Sequence, residues 1–146
     1  MEKQENKIKH LEMIENIIER MAKNSFQLKT WAVTLVTAVG ALGAKEADKR
    51  FMLLAFVPII GFWLLDAFYI QQERRYKALY RSVCEKEEED IDFNLNTRYI
   101  IFTSDEAKRI CFFNCLKSFG ISPFYGILAG TLILLFVILK GWIPWL

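Results

Sequence analysis

The stretch that most restricts this chain is 26–70. Two apolar runs, LKTWAVTLVTAVGALGA at 28–44 and FMLLAFVPIIGFWLLDAFYI at 51–70, flank the charged segment KEADKR at 45–50. A bilayer core takes roughly 20 mostly apolar residues in a helix, and both runs approach that length with one charge near an end. Lipid requires every backbone amide to be paired within its own element, so the runs read as helices and 45–50 as a tight antiparallel turn. Pro58 and Gly61 interrupt the second run, as membrane helices tolerate when neighbours re-satisfy the freed carbonyl.

The two charges inside this hairpin are Lys29 and Asp66. Counted outward from the loop midpoint between Ala47 and Asp48, they stand equally far along their helices and so at one depth. A lone carboxylate at the membrane edge is costly and a paired one much less so, which predicts a Lys29–Asp66 contact. Three readings fit it: an ion or proton site, a structural pair at the headgroup boundary, or a lysine that reaches the interface by snorkelling.

Hydrophobic residues make up 53% of the 146 and are gathered in runs, which places the chain in the membrane class. The net charge of +2 is too small to argue for nucleic acid. The first 25 residues are highly charged, so no cleavable signal peptide is expected and insertion falls to the first span. The predicted class is an all-α membrane protein with three transmembrane helices. Its expected parts are a cytosolic amphipathic helix (1–25), a transmembrane hairpin (26–70), a cytosolic helical segment (71–122), and a third span with its tail (123–146).

Over 3–25, Ile8, Leu11, Ile14, Ile18 and Met21 recur at spacings of three and four, with Glu and Lys between them. This narrow stripe resembles a coiled-coil seam. It serves either self-assembly or packing against the chain's own cytosolic segment. With neither Gly nor Pro before the first span, one helix is expected to run on into it. Within that span Thr30, Thr34, Thr37, Ala41 and Ala44 share a stripe, beside Gly40 and Gly43. Small residues let membrane helices approach closely, so the stripe is a candidate helix contact, or a pore lining if several copies form a ring.

After Ile70 the helical pattern continues through Tyr76, Leu79, Tyr80 and Val83 into the acidic block EKEEED at 85–90, read as a solvated helix end or turn. In 91–96 Ile91, Phe93 and Leu95 alternate with Asp92, Asn94 and Asn96; with no partner strand in sight, an ordered loop is preferred. Thr103 with Glu106 three residues on reads as a capping box opening a helix from Asp105 to about Phe119. That helix is aromatic-rich, suited to a membrane surface or to packing on the helix after the second span. Gly120 ends it, and Ser122-Pro123 opens the third span, 123–140. Gly126 and Gly130 give that span a small-residue face, and Lys140, Trp142 and Trp145 anchor its far end.

Segment 1–25 carries five Lys/Arg and 71–122 carries nine, against three in the 45–50 loop. The positive-inside bias therefore puts the N-terminus and both long polar segments in the cytoplasm. Cys84, Cys111 and Cys115 fall on that side and are expected as free thiols, with Cys111 and Cys115 as small apolar residues on one helix face. The single histidine, His10, supports neither a zinc site nor a His-dependent triad. No catalytic residue, metal ligand or cofactor is assigned.

The segment Arg20-Met21-Ala22-Lys23-Asn24-Ser25-Phe26-Gln27-Leu28, entering the first span after an amphipathic helix, resembles small bacterial membrane proteins of the RipA-like octameric family. The segment Glu73-Arg74-Arg75-Tyr76-Lys77-Ala78-Leu79-Tyr80, leaving the second span, is similar in type. The plan of helix, hairpin and cytosolic helices is also similar to two-span effectors of bacterial nucleotide-signalled defence loci and to ring-forming accessory proteins of RNA-targeting CRISPR systems. The resemblance covers roughly 10–80, and the third span departs from the two-span pattern. It implies a homo-oligomeric ring in the bacterial inner membrane, of octameric order, and transfers no catalytic residue. The expected function is therefore a pore-forming or membrane-perturbing effector in stress or phage defence. The alternatives are a scaffold docking a cytosolic protein through 105–119, and a small transporter using Lys29 and Asp66.

Overall fold

A computed structural model describes residues 2–46 and 53–139. Among them the regular structure is helical and no strand occurs, so the chain is all-α. Five α-helices follow in order: α1 (Glu2–Glu46), α2 (Phe56–Glu85), α3 (Ser104–Ile110), α4 (Phe112–Leu116) and α5 (Ser122–Leu139). Two 3-10 turns, Glu88–Asp90 and Thr97–Tyr99, lie between α2 and α3. The expected turn over 47–50, the first residues of the second run (Phe51 and Met52), and the anchors Lys140, Trp142 and Trp145 lie outside the described residues.

α1 is one helix of 45 residues, continuous from the charged N-terminal segment through the first apolar run. Helix α2 begins at Phe56, after a turn at Ala55 that separates it from the helical residues Leu53 and Leu54. Pro58 accounts for that start. Its ring would clash with the carbonyl four residues back, at Leu54, whereas in a first turn its missing N–H costs nothing. Among the described residues no helix is long and apolar enough to cross a membrane. α2 meets Gln71, Gln72 and Glu73 before reaching that length, and α1 carries Gln27 and Lys29 into its apolar run.

The chain divides into two compact units, and α1 and α2 each contribute to both. The first comprises Met1–Ser25 and Phe68–Cys115. Its core is built on Ile14, Leu79 and Val83, packed by Leu11, Ile18, Tyr76, Tyr80, Ile91, Leu95 and Ile100. Lys7 Nζ donates to the carbonyls of Cys84 (3.0 Å) and Lys86 (2.7 Å), so a cation on α1 closes the C-terminal end of α2. Lys3 pairs with Glu89 of the acidic block at 2.6 Å.

Segment 91–100 holds its shape through side chains. Asp92 Oδ1 accepts from the Asn94 N–H, Asn94 Oδ1 from the Asn96 N–H, and Asn96 Oδ1 from the Arg98 N–H. These stepped turns consume the alternate backbone donors that a strand would offer a neighbour, and they leave Ile91 and Leu95 to the core. Phe93 has φ 52°, a left-handed conformation unfavourable for a bulky residue, with its ring 5.4 Å from the buried His10 ring.

Thr103 caps α3, accepting from the Glu106 N–H while the Glu106 carboxylate accepts from the Thr103 N–H. The single helix expected over 105–119 is corrected here: α3 stops at Ile110, and Cys111 is extended at φ −56°, ψ 130°. Side chains satisfy the carbonyls of its last turn once the ladder stops. Asn114 Nδ2 donates to Lys108 O (2.7 Å), an Arg74 guanidinium N–H to Arg109 O, and Gln71 Nε2 to Ile110 O (2.8 Å).

The second unit comprises Phe26–Ala67 and Leu116–Leu146. Its interior holds Leu28, Ala32 and Val36 of α1, Ile59, Asp66 and Ala67 of α2, and Ile121, Tyr125 and Leu132 near and within α5. Its surface carries Phe26, Trp31, Leu42, Leu53, Val57, Ile60, Ile127 and Leu134, all exposed.

Candidate functional site

The most unusual chemistry among the described residues lies inside the second unit. Lys29 Nζ stands 2.6 Å from Asp66 Oδ2, and the Asp66 side chain is fully buried while that of Lys29 is 20% exposed. The placement follows from the helices: Lys29 follows Leu28 on the inward face of α1, and Asp66 precedes the buried Ala67 on α2. The Tyr125 phenol is also buried and interacts with the Asp66 carboxylate without reaching hydrogen-bond geometry. Trp63, one turn before Asp66, donates its indole N–H to Leu116 O at 3.2 Å. Charge, phenol and indole thus tie α1, α2 and the 116–125 region to one another inside this unit. Burying an ion pair costs desolvation that only good geometry repays, and the short contact is such a geometry.

The stripe Thr30, Thr34, Thr37 and Ala41 is exposed, and Ala44's side chain lies outside the described ones. The face of α1 that packs within the unit is instead Leu28, Ala32 and Val36. Thr34 Oγ1 donates to Thr30 O (2.9 Å) and Thr30 Oγ1 to Phe26 O (3.3 Å). Their hydroxyls are therefore satisfied within the helix. Thr37 and Ala41 line an apolar groove of about 320 Å³ with Val36, Gly40, Leu128, Thr131, Leu132 and Leu135. A Cβ added at Gly40, Gly126 or Gly130 would meet no atom within 4 Å, so these small-residue faces are unused by the chain itself.

The N-terminal seam has a different fate. Leu11, Ile14 and Ile18 pack on α2 and on segment 91–100 of the same chain, the second of the two roles open to them. The physical reason is proximity: the helix beyond the second run carries a matching stripe, Leu79 and Val83, on the same molecule. Met21 is half-buried and Ile8 stays exposed. The seam is thus a core face of the first unit.

Two residues that periodicity did not single out gain weight from the fold. His10 is fully buried with neither ring nitrogen hydrogen-bonded. Arg74 reaches both the Arg109 carbonyl and the Cys115 thiol, the latter at 3.6 Å. The signal for Arg74 was its spacing with Lys77 and Arg81, one face of one helix. His10 had none, because its burial depends on Phe93, far along the chain. Cys115 is buried, and burial pushes its thiol above the ordinary value, offset in part by the Arg74 guanidinium. Cys111 is exposed rather than a core residue, because the helix breaks at its position and turns it outward. Among the described residues no group of three His, Cys, Asp or Glu side chains stands close enough to hold a metal ion.

Comparison of the chain with protein-family models, with curated proteins and with solved structures finds no match.

Proposed function

We propose that this chain is an integral protein of the bacterial inner membrane whose second unit lies in lipid, and that it acts as a homo-oligomer that permeates or perturbs the bilayer. One observation carries the reading: the second unit is apolar on its surface as well as in its interior. Its ion pair is inside, and Phe26, Trp31, Leu53, Val57, Ile60 and Ile127 are outside. Water penalises such an exterior, and lipid penalises the opposite arrangement. The second apolar run also begins in sequence at Phe51, ahead of α2. Three spans, the N-terminus in the cytoplasm and the first unit on the same side follow from the charge bias.

The exposed stripe of Thr30, Thr34, Thr37 and Ala41 is the proposed contact between copies. The Thr30 and Thr34 hydroxyls are bonded within the helix, so they can face a neighbouring backbone or a pore lumen without an unmet donor. An octameric ring in a defence setting is what the family resemblance adds. Docking of a cytosolic protein is the second reading, favoured by the exposed Phe113 within 105–119 and by Ile101 close by, which stands almost wholly exposed on the first unit.

Alkaline carbonate washing of membranes, native mass in detergent and dye release from liposomes test the proposal together. Retention in the washed membrane, one oligomer of defined mass and dye release are expected. Extraction into buffer without detergent overturns the membrane reading, and a monomer at every concentration overturns the ring.

A further inference from the structure

On α2 of the first unit, Arg74, Lys77 and Arg81 stand at spacings of three and four, so their side chains share one face. Arg109 of α3 faces them, and with Asp105 and Glu106 they line a cavity of about 560 Å³. The lining holds four cations against two carboxylates, and one of the four, Lys77, pairs with Glu73 one turn back on α2, which leaves the three guanidinium groups as its main donors.

Both carboxylates are already engaged. Asp105 lies 3.8 Å from Lys108, outside the lining. Glu106 Oε2 accepts from the Thr103 N–H while Oε1 pairs with Arg81 Nη2 at 2.7 Å. A guanidinium presents five N–H donors in a planar fork, and one shared carboxylate leaves most of that fork unused. The Arg74 contacts with Arg109 O and Cys115 hold the opposing helices in place. The cavity is thus pre-formed, basic, and rich in the donor geometry that matches a tetrahedral oxyanion.

We propose that this cavity binds a phosphate-bearing anion, either a free phosphate compound or the head group of an anionic phospholipid. The lipid source has a geometric argument on its side. Arg74 follows Ile70, the last residue of the second apolar run, by four residues on one helix, a rise of about 6 Å. Basic residues in that position attract anionic head groups. The site lies wholly within the first unit and does not depend on the membrane reading, since a free phosphate meets the same donors.

The test uses the full chain in a non-ionic detergent. Bound phosphatidylglycerol is read by native mass spectrometry, and inorganic phosphate by calorimetry in a separate arm. The double variant Arg81→Gln/Arg109→Gln is compared with Lys9→Gln/Arg20→Gln, which removes equal charge from α1 outside the cavity. Loss of affinity by about tenfold or more in the first and little change in the second is expected. Arg109→Lys keeps the charge and loses the fork, so an intermediate affinity with unaltered helical content separates a binding defect from misfolding. Lipid binding alone identifies the head group as ligand, and phosphate binding of equal strength identifies a soluble one; either supports the site. Equal loss in both double variants, or no binding of either anion by the unaltered protein, overturns it.

Discussion

The two units handle charge in opposite ways. In the first, the ion pairs Lys3–Glu89 and Arg81–Glu106 lie at the surface and Ile14, Leu79 and Val83 lie inside. In the second, Lys29–Asp66 lies inside and large apolar side chains lie outside. The same helices supply both units, so the difference does not come from the type of secondary structure. It comes from which side chains each stretch turns inward, and it makes one kind of contact matter very differently in the two places.

Removing one partner of the buried pair tests this most severely. Lys29→Ala leaves the Asp66 carboxylate buried and uncompensated, with an expected loss of about 3–5 kcal/mol in thermal unfolding in detergent. Replacing both partners, as Lys29→Met/Asp66→Leu, is expected to recover most of that loss. By contrast Lys3→Ala, at an exposed pair, is expected to cost no more than about 0.5 kcal/mol. Equal costs at the two pairs would erase the distinction between the units.

A smaller effect of opposite sign is expected at His10. Its ring is buried without hydrogen bonds, so His10→Leu removes an unmet polar group and is expected to stabilise the first unit by about 1 kcal/mol. Hydrogen exchange over α1 and α2 reads it. A stabilisation spread evenly over both units would show that they do not open separately.

Acid separates the units as well. Glu106 is held below its ordinary value of 4.5, first by the Thr103 backbone N–H and then by the Thr103 hydroxyl, Arg81 and Arg109. A lowered carboxyl contributes stability that is present above about pH 4.5 and fades as the pH falls through its folded value. The contribution is small because the carboxylate is only partly buried and water screens its partners. Glu106→Gln should flatten that acid limb in the first unit's unfolding profile.

Thiol labelling gives the finest reading. Cys84 and Cys111 are exposed and should react with maleimide in the native protein. Cys115 is buried and its thiol is raised by that burial, so it should react only on unfolding. Native labelling of Cys115 would show that the contacts closing α3 open readily.

These elements differ in how far they were legible in the residues. The helical class, the run of α1 from charge into apolar sequence, and the capped start at Thr103 rest on periodicity and on neighbours a few positions apart. The equal distance of Lys29 and Asp66 from the loop needed only counting, and the folded chain has them at 2.6 Å. The break at Cys111 was not legible, because the donors that take the α3 carboxyl-end carbonyls include Gln71 and Arg74, more than thirty residues earlier. The basic cavity was half-legible: Arg74, Lys77 and Arg81 share a face by spacing, but Arg109 joins them only across the packed helices.

The sequence by itself determined that this chain is helical, that a capped helix opens at Thr103, and which stretches repel water, since each depends on local backbone pairing and on side-chain chemistry in order. Tertiary structure alone decided that the Leu11–Ile14–Ile18 stripe is covered by its own chain, that the Thr30–Ala41 stripe is left open, and that His10 is shut beneath Phe93. An apolar or small-residue face specifies that it can be covered, and only the three-dimensional path of the chain specifies by what.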